Sequence, residues 1–363
     1  MILKLLLGFA LLIALFIIAL LIFLKFCPSV GKIPGKKDRE IYAQRNDLFY
    51  GNVFHNEDDV STMTKGKSYS GKRKTPKKVI EPCVPELLSD PAEGDLTFTW
   101  LGHSSFILQM GKSTVLVDPV LSGRSSPVGF AGPKRFSGRP FTFDTIPYAD
   151  ILFISHDHYD HLDYKTILKI RDKVGKIVVP LGVDVILKGW GVDPGKIIEV
   201  SWWENISIGD LKLTLTPSRH FTGRNPLKGN STLWGGLYLT DGHHSVYYTG
   251  DGGYYDVFEK VKKKLGPPDL MIAECGQYDP AWALIHMFPE QAVRAGLDAG
   301  ASRVIPVHWG TFCICNTDWD DSVIRFTKEA GKTGLNVSTP RIGQTVVYER
   351  TDDQTDSWYE EYA

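Results

Sequence analysis

Short apolar runs separated by turn residues fill the chain from about residue 95 onward. Alternating or continuous apolar positions predict strands at 96–101, 104–110, 114–118, 151–155, 176–179, 196–200, 211–216, 233–239, 245–249, 270–274, 303–307 and 345–349. Apolar residues at helical spacing predict helices at 165–174, 255–265, 289–299 and 319–332, with Asp163 as an N-cap and Pro289 in a first turn. Two sets of strands, each with its own helices, indicate an α/β fold in four layers, an αββα sandwich.

The first apolar run of the chain is of another kind. Leu5 to Leu24 is twenty residues without a charge, and a helix of that length, at about 1.5 Å per residue, crosses a hydrocarbon core of roughly 30 Å. It predicts a single-pass transmembrane anchor over residues 1–26. A cleaved signal peptide is the alternative, but its apolar region is shorter and ends at small residues, whereas Lys25, Phe26 and Cys27 follow here.

Basic residues are frequent after this run. Five of them follow closely, namely Lys25, Lys32, Lys36, Lys37 and Arg39. The positive-inside rule then places the soluble part on the cytoplasmic side. Residues 60–80 add more Lys and Arg, with Gly, Ser and Pro and no acid. We therefore predict a flexible basic linker within an N-terminal extension at 27–94, either attracted to anionic lipid head groups or merely solvated.

The remaining composition narrows the class of protein. A net charge of −1 over 363 residues does not suit a nucleic-acid binder, so no nucleic acid is expected as a partner. The five cysteines form no CxxC pair and predict reduced thiols; Cys313 and Cys315 could touch a metal, but structural roles are expected. The catalytic domain is predicted at 95–350, and the acidic, aromatic tail at 351–363 is expected to be loose.

Potential metal ligands cluster where the predicted strand at 151–155 ends. The next six residues are His156, Asp157, His158, Tyr159, Asp160 and His161, an HxHxDH string. Imidazole nitrogen and carboxylate oxygen are ligands that suit zinc, and a turn after a strand lets such side chains converge. A polar surface turn that is rich in histidine by chance is the weaker interpretation.

The same placement recurs at later strands. His220, Asp251 and His308 each follow a predicted strand, and loops at one sheet edge can gather distant residues into one pocket. One metal is predicted at His156, His158 and His220, and a second at Asp160, His161 and His308, with Asp251 between them. Two metals, zinc or another divalent ion, lower the pKa of bound water toward about 7 and favour hydrolysis.

The order HxHxDH, His, Asp, His resembles the metallo-β-lactamase superfamily. Within it, the strings WLGHSSFILQM, DPV, SPVGFAGPKRF, ISHDHYDHLDY, LWGG, GDGGY and VHWGTF, spread over 95–335, are similar to N-acylphosphatidylethanolamine phospholipases D. The resemblance implies the same seven metal ligands and two zinc ions, with Asp160, Asp251 and His286 in catalysis. It further implies substrate contacts from Tyr159 and His286 and a place behind the metals for Asp118.

The function implied by the resemblance is hydrolysis of a membrane phospholipid to phosphatidic acid and an N-acylethanolamine, compatible with a homodimer. The motif Gly250–Asp251–Gly252–Gly253 departs from the family's Gly-Asp-Thr-Gly and lacks a hydroxyl beside the bridging acid. A lactonase or other carboxylic-ester hydrolase is the main alternative, and a noncatalytic metal-stabilised scaffold is another. His158 argues against an oxygen-reducing di-iron protein, and His103 is expected to brace a strand turn.

Overall fold

The structure, a computed structural model, describes residues 2–58, 60–348 and 356–363. In this part of the chain the α-helices are α1 Ile2–Phe26, α2 Lys36–Arg45, α3 Tyr164–Ile170, α4 Val183–Gly189, α5 Val257–Leu265, α6 Pro289–Ala299 and α7 Asp321–Thr333. The strands are β1 Phe49–Tyr50, β2 Val53–Phe54, β3 Leu96–Gly102, β4 Ser105–Met110, β5 Ser113–Val117, β6 Ala149–Phe153, β7 Val174–Pro180, β8 Ile197–Val200, β9 Asn205–Ile208, β10 Leu211–Thr216, β11 Gly236–Thr240, β12 Ser245–Tyr248, β13 Leu270–Glu274, β14 Arg303–Val307 and β15 Thr345–Val347.

Two large mixed sheets organise the catalytic region. One has the order β15-β3-β4-β5-β6-β7-β8, and the other has the order β14-β13-β12-β11-β10-β9. In each sheet an antiparallel meander leads into parallel strands, β5 to β8 in the first and β12 to β14 in the second. Parallel neighbours need crossover connections, which the helices supply. The carboxyl ends of these strands therefore lie along one edge of each sheet.

Alternating side chains of each strand enter different cores, which explains why the strands are apolar on both faces. On β6, Ile151 and Phe153 belong to the central core that is shared by both sheets. Leu152, between them, packs with the residues of α3 and α4. On the second sheet, Tyr247 and Met271 pack instead against α5, α6 and α7. The predicted four-layer αββα architecture is confirmed.

The predicted elements from residue 95 onward match the structure closely. The strands at 211–216, 270–274 and 303–307 and the helix at 289–299 have the predicted bounds, whereas the strand predicted at 233–239 runs from Gly236 to Thr240. The strand predicted at 345–349 ends at Val347, and its last residue lies outside the described part of the chain. The short helix α4 was not predicted, because only six residues separate Gly182 from Gly189 and carry little periodic signal.

The N-terminal extension packs against the catalytic domain. Tyr42, Phe49 and Phe54 are buried in the central core. The guanidinium of Arg45 lies 2.6 Å from the Glu204 carboxylate. Burial of three aromatic side chains is worth several kcal/mol, roughly 1.5–3 kcal/mol for each, so residues 36–54 are an integral part of the fold.

Residues 60–80, called the strap from here on, also lie on the catalytic domain. The Thr64 amide donates to the Ala281 carbonyl at 2.6 Å. Arg73 pairs with Asp320 at 2.9 Å, and Ile80 is buried. The prediction of a flexible linker is wrong here, because backbone hydrogen bonds and an ion pair to a buried carboxylate hold the strap along its length.

The C-terminal residues are docked as well. Residues 351–355 of the predicted tail lie outside the described part, but Trp358–Tyr362 form a 3-10 helix. Trp358 is buried, stacks on Trp309 with ring centroids 5.5 Å apart, and donates its indole N–H to the Thr339 carbonyl at 3.0 Å. The expectation of a loose tail is therefore wrong for 356–363, where aromatic burial outweighs the acidic composition.

Helix α1 differs from every other described helix in its exposure. Its span Lys4–Phe26 is long enough and apolar enough to cross a membrane, and none of its most apolar window is buried in the protein. Large side chains such as Phe9, Leu12 and Phe16 are more than half exposed. An apolar surface of this size on a single helix needs a nonaqueous environment or a partner.

Trp358→Ala should destabilise the catalytic domain. The change removes a buried ring and its hydrogen bond next to Trp309, at a cost of about 3–5 kcal/mol. We expect the thermal unfolding midpoint to fall by roughly 10 °C. Val84 is 86% exposed, so Val84→Ala is a control that should shift the midpoint little. Equal midpoints for both variants would show that the C-terminal helix is not part of the cooperative core.

Candidate metal centre

Loops at the ends of neighbouring strands carry the predicted ligands. The segment 156–162, called the metal loop from here on, follows β6, and His220, Asp251 and His308 follow β10, β12 and β14. All three are buried. The rigid strands behind them are held by cores on both faces, so the positions of these side chains are fixed by the sandwich.

His156, His158 and His220 form the first group of converging donors. Nε2 of His156 lies 3.0 Å from Nδ1 of His158, and that atom lies 3.3 Å from Nε2 of His220. Their ligand atoms all lie within 4.8 Å of one another. Imidazole nitrogens that face a common point in this way match the trigonal face of a tetrahedral metal site.

Asp160, His161 and His308 form the second group, together with His103. Oδ2 of Asp160 lies 3.3 Å from Nε2 of His308 and 3.6 Å from Nε2 of His161. Nε2 of His103 is 2.9 Å from the same oxygen. The ligand atoms of these four residues also lie within 4.8 Å of one another.

Asp251 lies between the two groups. Its Oδ2 is 3.2 Å from Nε2 of His161, and its Oδ1 is 2.9 Å from Nδ1 of His308. The same carboxylate is 3.9 Å from Nε2 of both His156 and His220. The Asp251 carboxylate therefore lies within 4 Å of donors from both groups.

The histidines of the site differ in the direction in which their surroundings shift the imidazole pKa. Burial, reinforced by the neighbouring imidazoles, holds the pKa values of His156 and His220 well below their usual range. Burial also opposes a charge on His308, but Asp251 and Asp160 raise its pKa to about 10. Burial would raise the pKa of Asp251, yet His161 and His308 keep it well below its usual range. Neutral imidazoles and ionised carboxylates are the protonation states that bind metals. His156, His220 and Asp251 are therefore already in the binding form, whereas His308 would release a proton when a cation takes its place.

The residues present fit a divalent metal. In the described part of the chain, Nε2 of His161, Nδ1 of His308 and Oδ1 of Asp251 are buried and make no hydrogen bond of good geometry, although the last two atoms lie only 2.9 Å apart. Unpaired buried polar atoms are costly, by roughly 1–3 kcal/mol each, and a coordinated cation would satisfy all three. Nitrogen and carboxylate donors with no thiolate suit zinc and similar borderline metals.

Asp118 lies behind the second group. Its Oδ2 accepts hydrogen bonds from Nδ1 of His161 at 2.8 Å, the Ser155 hydroxyl at 2.6 Å and the Tyr248 hydroxyl at 2.8 Å. Its Oδ1 accepts from the Ser155 amide at 2.8 Å. The carboxylate therefore fixes the His161 ring with Nε2 directed at the site, as outer carboxylates do for metal-bound histidines.

His286 lies at the wall of the site and is held by a buried acid. Its Nδ1 is 2.8 Å from Oε1 of Glu274, whose Oε2 accepts from the Met287 amide at 3.0 Å. The ring centroid of His286 is 5.1 Å from that of His220. Burial raises the pKa of Glu274. Glu274 thus holds the ring through Nδ1, and His286 lines the cavity beside the ligand groups.

Tyr159 has a different environment from the one expected. Its hydroxyl donates to the Arg224 carbonyl at 2.9 Å, and the Arg224 guanidinium lies over its ring at 4.2 Å. The buried Arg224 also donates to the carbonyls of Asp157 at 2.8 Å, Leu162 at 2.7 Å and Ser29 at 2.6 Å. Tyr159 thus braces the metal loop from outside the cavity, and the expected substrate contact is corrected.

A cavity of about 210 Å³ opens onto the ligand groups. Its polar wall includes His158, Asp160, Asp251, His286 and His308, and its apolar wall includes Met63, Phe221, Trp282, Ile285 and Ile314. Thr62 and Met63 belong to the strap. The N-terminal extension therefore completes the mouth of a site whose ligands all come from the catalytic domain.

Comparisons with known proteins agree with this arrangement. The sequence family described as "Beta-lactamase superfamily domain" matches residues 113–309, just over half of the chain. The chain belongs to the metallo-β-lactamase superfamily. Like its relatives there, it is a metal-dependent hydrolase, and the His/Asp groups described above are where this superfamily member can bind divalent metal.

Individual relatives refine the relationship. An uncharacterized protein of Mycobacterium tuberculosis is 38% identical over 274 residues, which cover 73% of each chain. "N-acyl-phosphatidylethanolamine-hydrolyzing phospholipase D 1" of Caenorhabditis elegans is 32% identical over 259 residues, 67% of this chain and 73% of the relative. The metallo hydrolase Igni18 of Ignicoccus hospitalis, at 22% identity and a TM-score of 0.54, covers 71% of this chain and 100% of its own, and shows the shared fold.

Two residues of the candidate metal centre were missed by the sequence analysis. His103 was expected to brace a turn, and its carbonyl does accept a hydrogen bond from the His308 amide at 3.0 Å. Its ring also contacts the Asp160 carboxylate, which was not expected. Glu274 was treated only as the end of a strand. Asp251 was predicted because it is an acidic residue at the end of a strand. Glu274 also lies at the end of a strand, so the sequence contained the same signal for it.

Glycines surround Asp251 because the chain turns sharply beneath the metal groups. Gly250 has φ +61°, and a β-carbon there would lie 2.5 Å from the Gly235 carbonyl oxygen. At Gly253 a β-carbon would lie 1.9 Å from the Leu284 carbonyl oxygen. At Gly252, where the family has threonine, a β-carbon meets Ser218 at 3.0 Å, so this loop is packed for glycine.

Gly253→Ala should therefore destabilise the domain and lower its metal content. The added methyl group forces the backbone beside Asp251 to move, at a cost of about 1–3 kcal/mol. Gly331, in α7, has open space around its β-position, and Gly331→Ala should gain roughly 0.5–1 kcal/mol from helix propensity. Thermal unfolding and elemental analysis of the bound metal measure both effects. Identical midpoints and metal contents for the two variants would contradict the packing argument.

Proposed function

We propose that this protein is a membrane-anchored, dinuclear zinc phosphodiesterase of the phospholipase D type. Its substrate would be an N-acylphosphatidylethanolamine or a related glycerophospholipid, and its products phosphatidic acid and an N-acylethanolamine. The observation that carries the proposal is the position of Asp251 within 4 Å of donors from both ligand groups. The relatives named as phospholipases D support the substrate class.

The ligand assignment follows the two groups. His156, His158 and His220 would hold one zinc ion, Asp160, His161 and His308 would hold the other, and Asp251 would bridge them. When bound, such a pair activates water at neutral pH and neutralises charge on the phosphodiester. The carboxylates of Asp160 and Asp251, kept ionised by the surrounding imidazoles, orient the attacking water and accept hydrogen bonds from it.

The substrate contact is assigned to His286. Its Nε2 would donate to a non-bridging phosphate oxygen as negative charge develops there, and Glu274 fixes the ring for this role through Nδ1. Water attacks phosphorus, the bond to the ethanolamine oxygen breaks, and the alcohol leaves with a proton. Tyr159 and Arg224 act indirectly, because they hold the backbone of the metal loop.

The apolar wall and the anchor suit a lipid. Phe221, Trp282 and Ile314 line the cavity beside the metal groups, which gives acyl chains a surface next to the phosphate site. Helix α1 would hold the domain at the membrane in a single pass, with the domain on the cytoplasmic side according to the basic residues that follow it. Tethering raises the local substrate concentration. A homodimer around the substrate is part of this proposal.

The decisive experiment identifies the products of a mixed phospholipid extract. We expect the zinc-loaded, purified chain to release phosphatidic acid and N-acylethanolamine, to lose activity on chelation and to regain it when zinc is restored. Ring-opened hydroxy acids from lactones, with phosphodiesters left intact, would instead establish the alternative lactonase function. Activity that survives complete metal removal would contradict the whole assignment.

His286→Ala should reduce turnover and leave the metals in place. Loss of one donor to developing charge lowers kcat by roughly 100- to 1000-fold. Elemental analysis should still find the wild-type metal content, because neither proposed zinc site uses His286. His243 lies on the exposed hairpin turn and pairs with Glu93, so His243→Ala is a matched control with normal kcat. Metal loss in the His286 variant would make this residue a ligand instead.

Met63→Asp should weaken binding of long acyl chains. Met63 is 60% exposed at the mouth of the cavity, and a carboxylate there removes apolar contact area. We expect KM to rise roughly tenfold for long-chain substrates, equivalent to about 1.4 kcal/mol, with kcat nearly unchanged. Met63→Leu preserves the apolar volume and should behave as wild type. A fall in kcat alone would place the strap in the chemical step rather than in substrate binding.

A further inference from the structure

A second concave surface lies outside the metal centre, beside the end of α1. It is a hollow of about 660 Å³ between the loop 122–134 and the first turns of α3. Four basic residues line this hollow, namely Arg124, Lys134, Lys165 and Lys169. It is called the basic hollow from here on. Ser29, three residues after α1 ends, lines it too.

The charges of the basic hollow are not neutralised by the protein. In the described part of the chain, no carboxylate forms an ion pair with any of these four residues. Asp163 also lines the hollow, but its carboxylate accepts from the Ser122 amide at 3.1 Å and from the Thr166 hydroxyl at 2.5 Å. In the strap, Arg73 is paired with Asp318 and Asp320, whereas its six lysines form no ion pair in the described part of the chain.

The loop that forms one wall is held in place. Buried Arg135 donates Nε–H to the Ser122 carbonyl at 3.1 Å, and its amide donates to the Gly123 carbonyl at 3.0 Å. The Ser29 hydroxyl donates to the Pro127 carbonyl at 2.6 Å, so the loop is joined to the residues that follow α1. At its tip, Phe130 is 84% exposed. The hollow is therefore preformed and fixed relative to the end of the apolar helix.

We propose that the basic hollow binds the phosphate head group of an anionic phospholipid in the membrane that α1 crosses, with Phe130 at the level of the lipid chains. Uncompensated basic residues next to a membrane helix attract anionic lipid, and exposed aromatic side chains favour the interface. The string SPVGFAGPKRF, which supplies this wall, has no contact role in the proposed metal site. The inference depends on the anchoring role of α1 and not on the substrate that the metal centre cleaves.

Hydrogen–deuterium exchange of the full chain in lipid nanodiscs tests this proposal. Discs of phosphatidylcholine are compared with discs of equal parts phosphatidylcholine and phosphatidylglycerol. We expect amides in 122–134 and 164–169 to exchange more slowly in the anionic discs, by about fivefold or more, the factor that one basic side chain at an anionic surface provides. Inorganic phosphate added to phosphatidylcholine discs should give no such protection.

Matched variants separate this site from general charge attraction. The triple change Lys134→Gln, Lys165→Gln and Lys169→Gln should abolish the protection, and the corresponding Lys→Arg changes should retain it. Lys262, Lys263 and Lys264 are exposed on α5, in the helix layer of the other sheet, and their change to Gln should leave the protection intact.

Three outcomes would overturn the proposal. These are equal exchange in both kinds of disc, protection by inorganic phosphate alone, and a chain that does not co-purify with the discs. The last outcome would also remove the anchor from the proposed function. Hydrogen–deuterium exchange does not require catalysis, so a protein that cleaves no phospholipid can still show a head-group site. Failure of the proposed function can therefore be distinguished from failure of the head-group proposal.

Discussion

Crowding of imidazoles and carboxylates at one buried sheet edge is the constraint on which the rest of this structure depends. Asp160 and Asp251 lie among His156, His161 and His308, and all five residues are buried. Such a cluster is stable only if its charges compensate one another or a cation is bound. The two-sheet core, Asp118 and the glycine-rich turn around Asp251 all hold this cluster together, and the fold can be understood as a rigid support for it.

The strands of the central sandwich could be predicted from the sequence because both of their faces are buried. Runs such as 151–155 and 270–274 are therefore continuously apolar, and polar ligands stand out where they end. Docking of the N-terminal extension and of Trp358–Tyr362 could not be predicted, because it depends on long-range contacts of sparse aromatic residues within polar segments. Tyr159 was misplaced for a related reason: its hydroxyl faces Arg224, and spacing along the chain does not report which side of a loop a ring occupies.

The N-terminal extension has a larger part in the site than its composition indicates. Tyr42 and Phe54 extend the central core, and the strap then runs past the cavity, where it contributes Thr62 and Met63. The basic composition of this region alone suggests a solvated tether, but Arg45 and Arg73 are paired with acids of the catalytic domain. Basic composition by itself therefore does not distinguish a free tether from a segment that is docked on the catalytic domain.

Arg224 gives the protein a mechanical property. One guanidinium is bonded both to the carbonyl of Ser29, just past the apolar helix, and to two carbonyls of the metal loop. If α1 spans a bilayer as proposed, this connection would couple a tilt of the helix to the position of the reactive centre. In the proposed membrane-anchored phospholipase, the height of the cavity above the bilayer would then be set by the fold, and a lipid substrate would have to rise to that height to be cleaved.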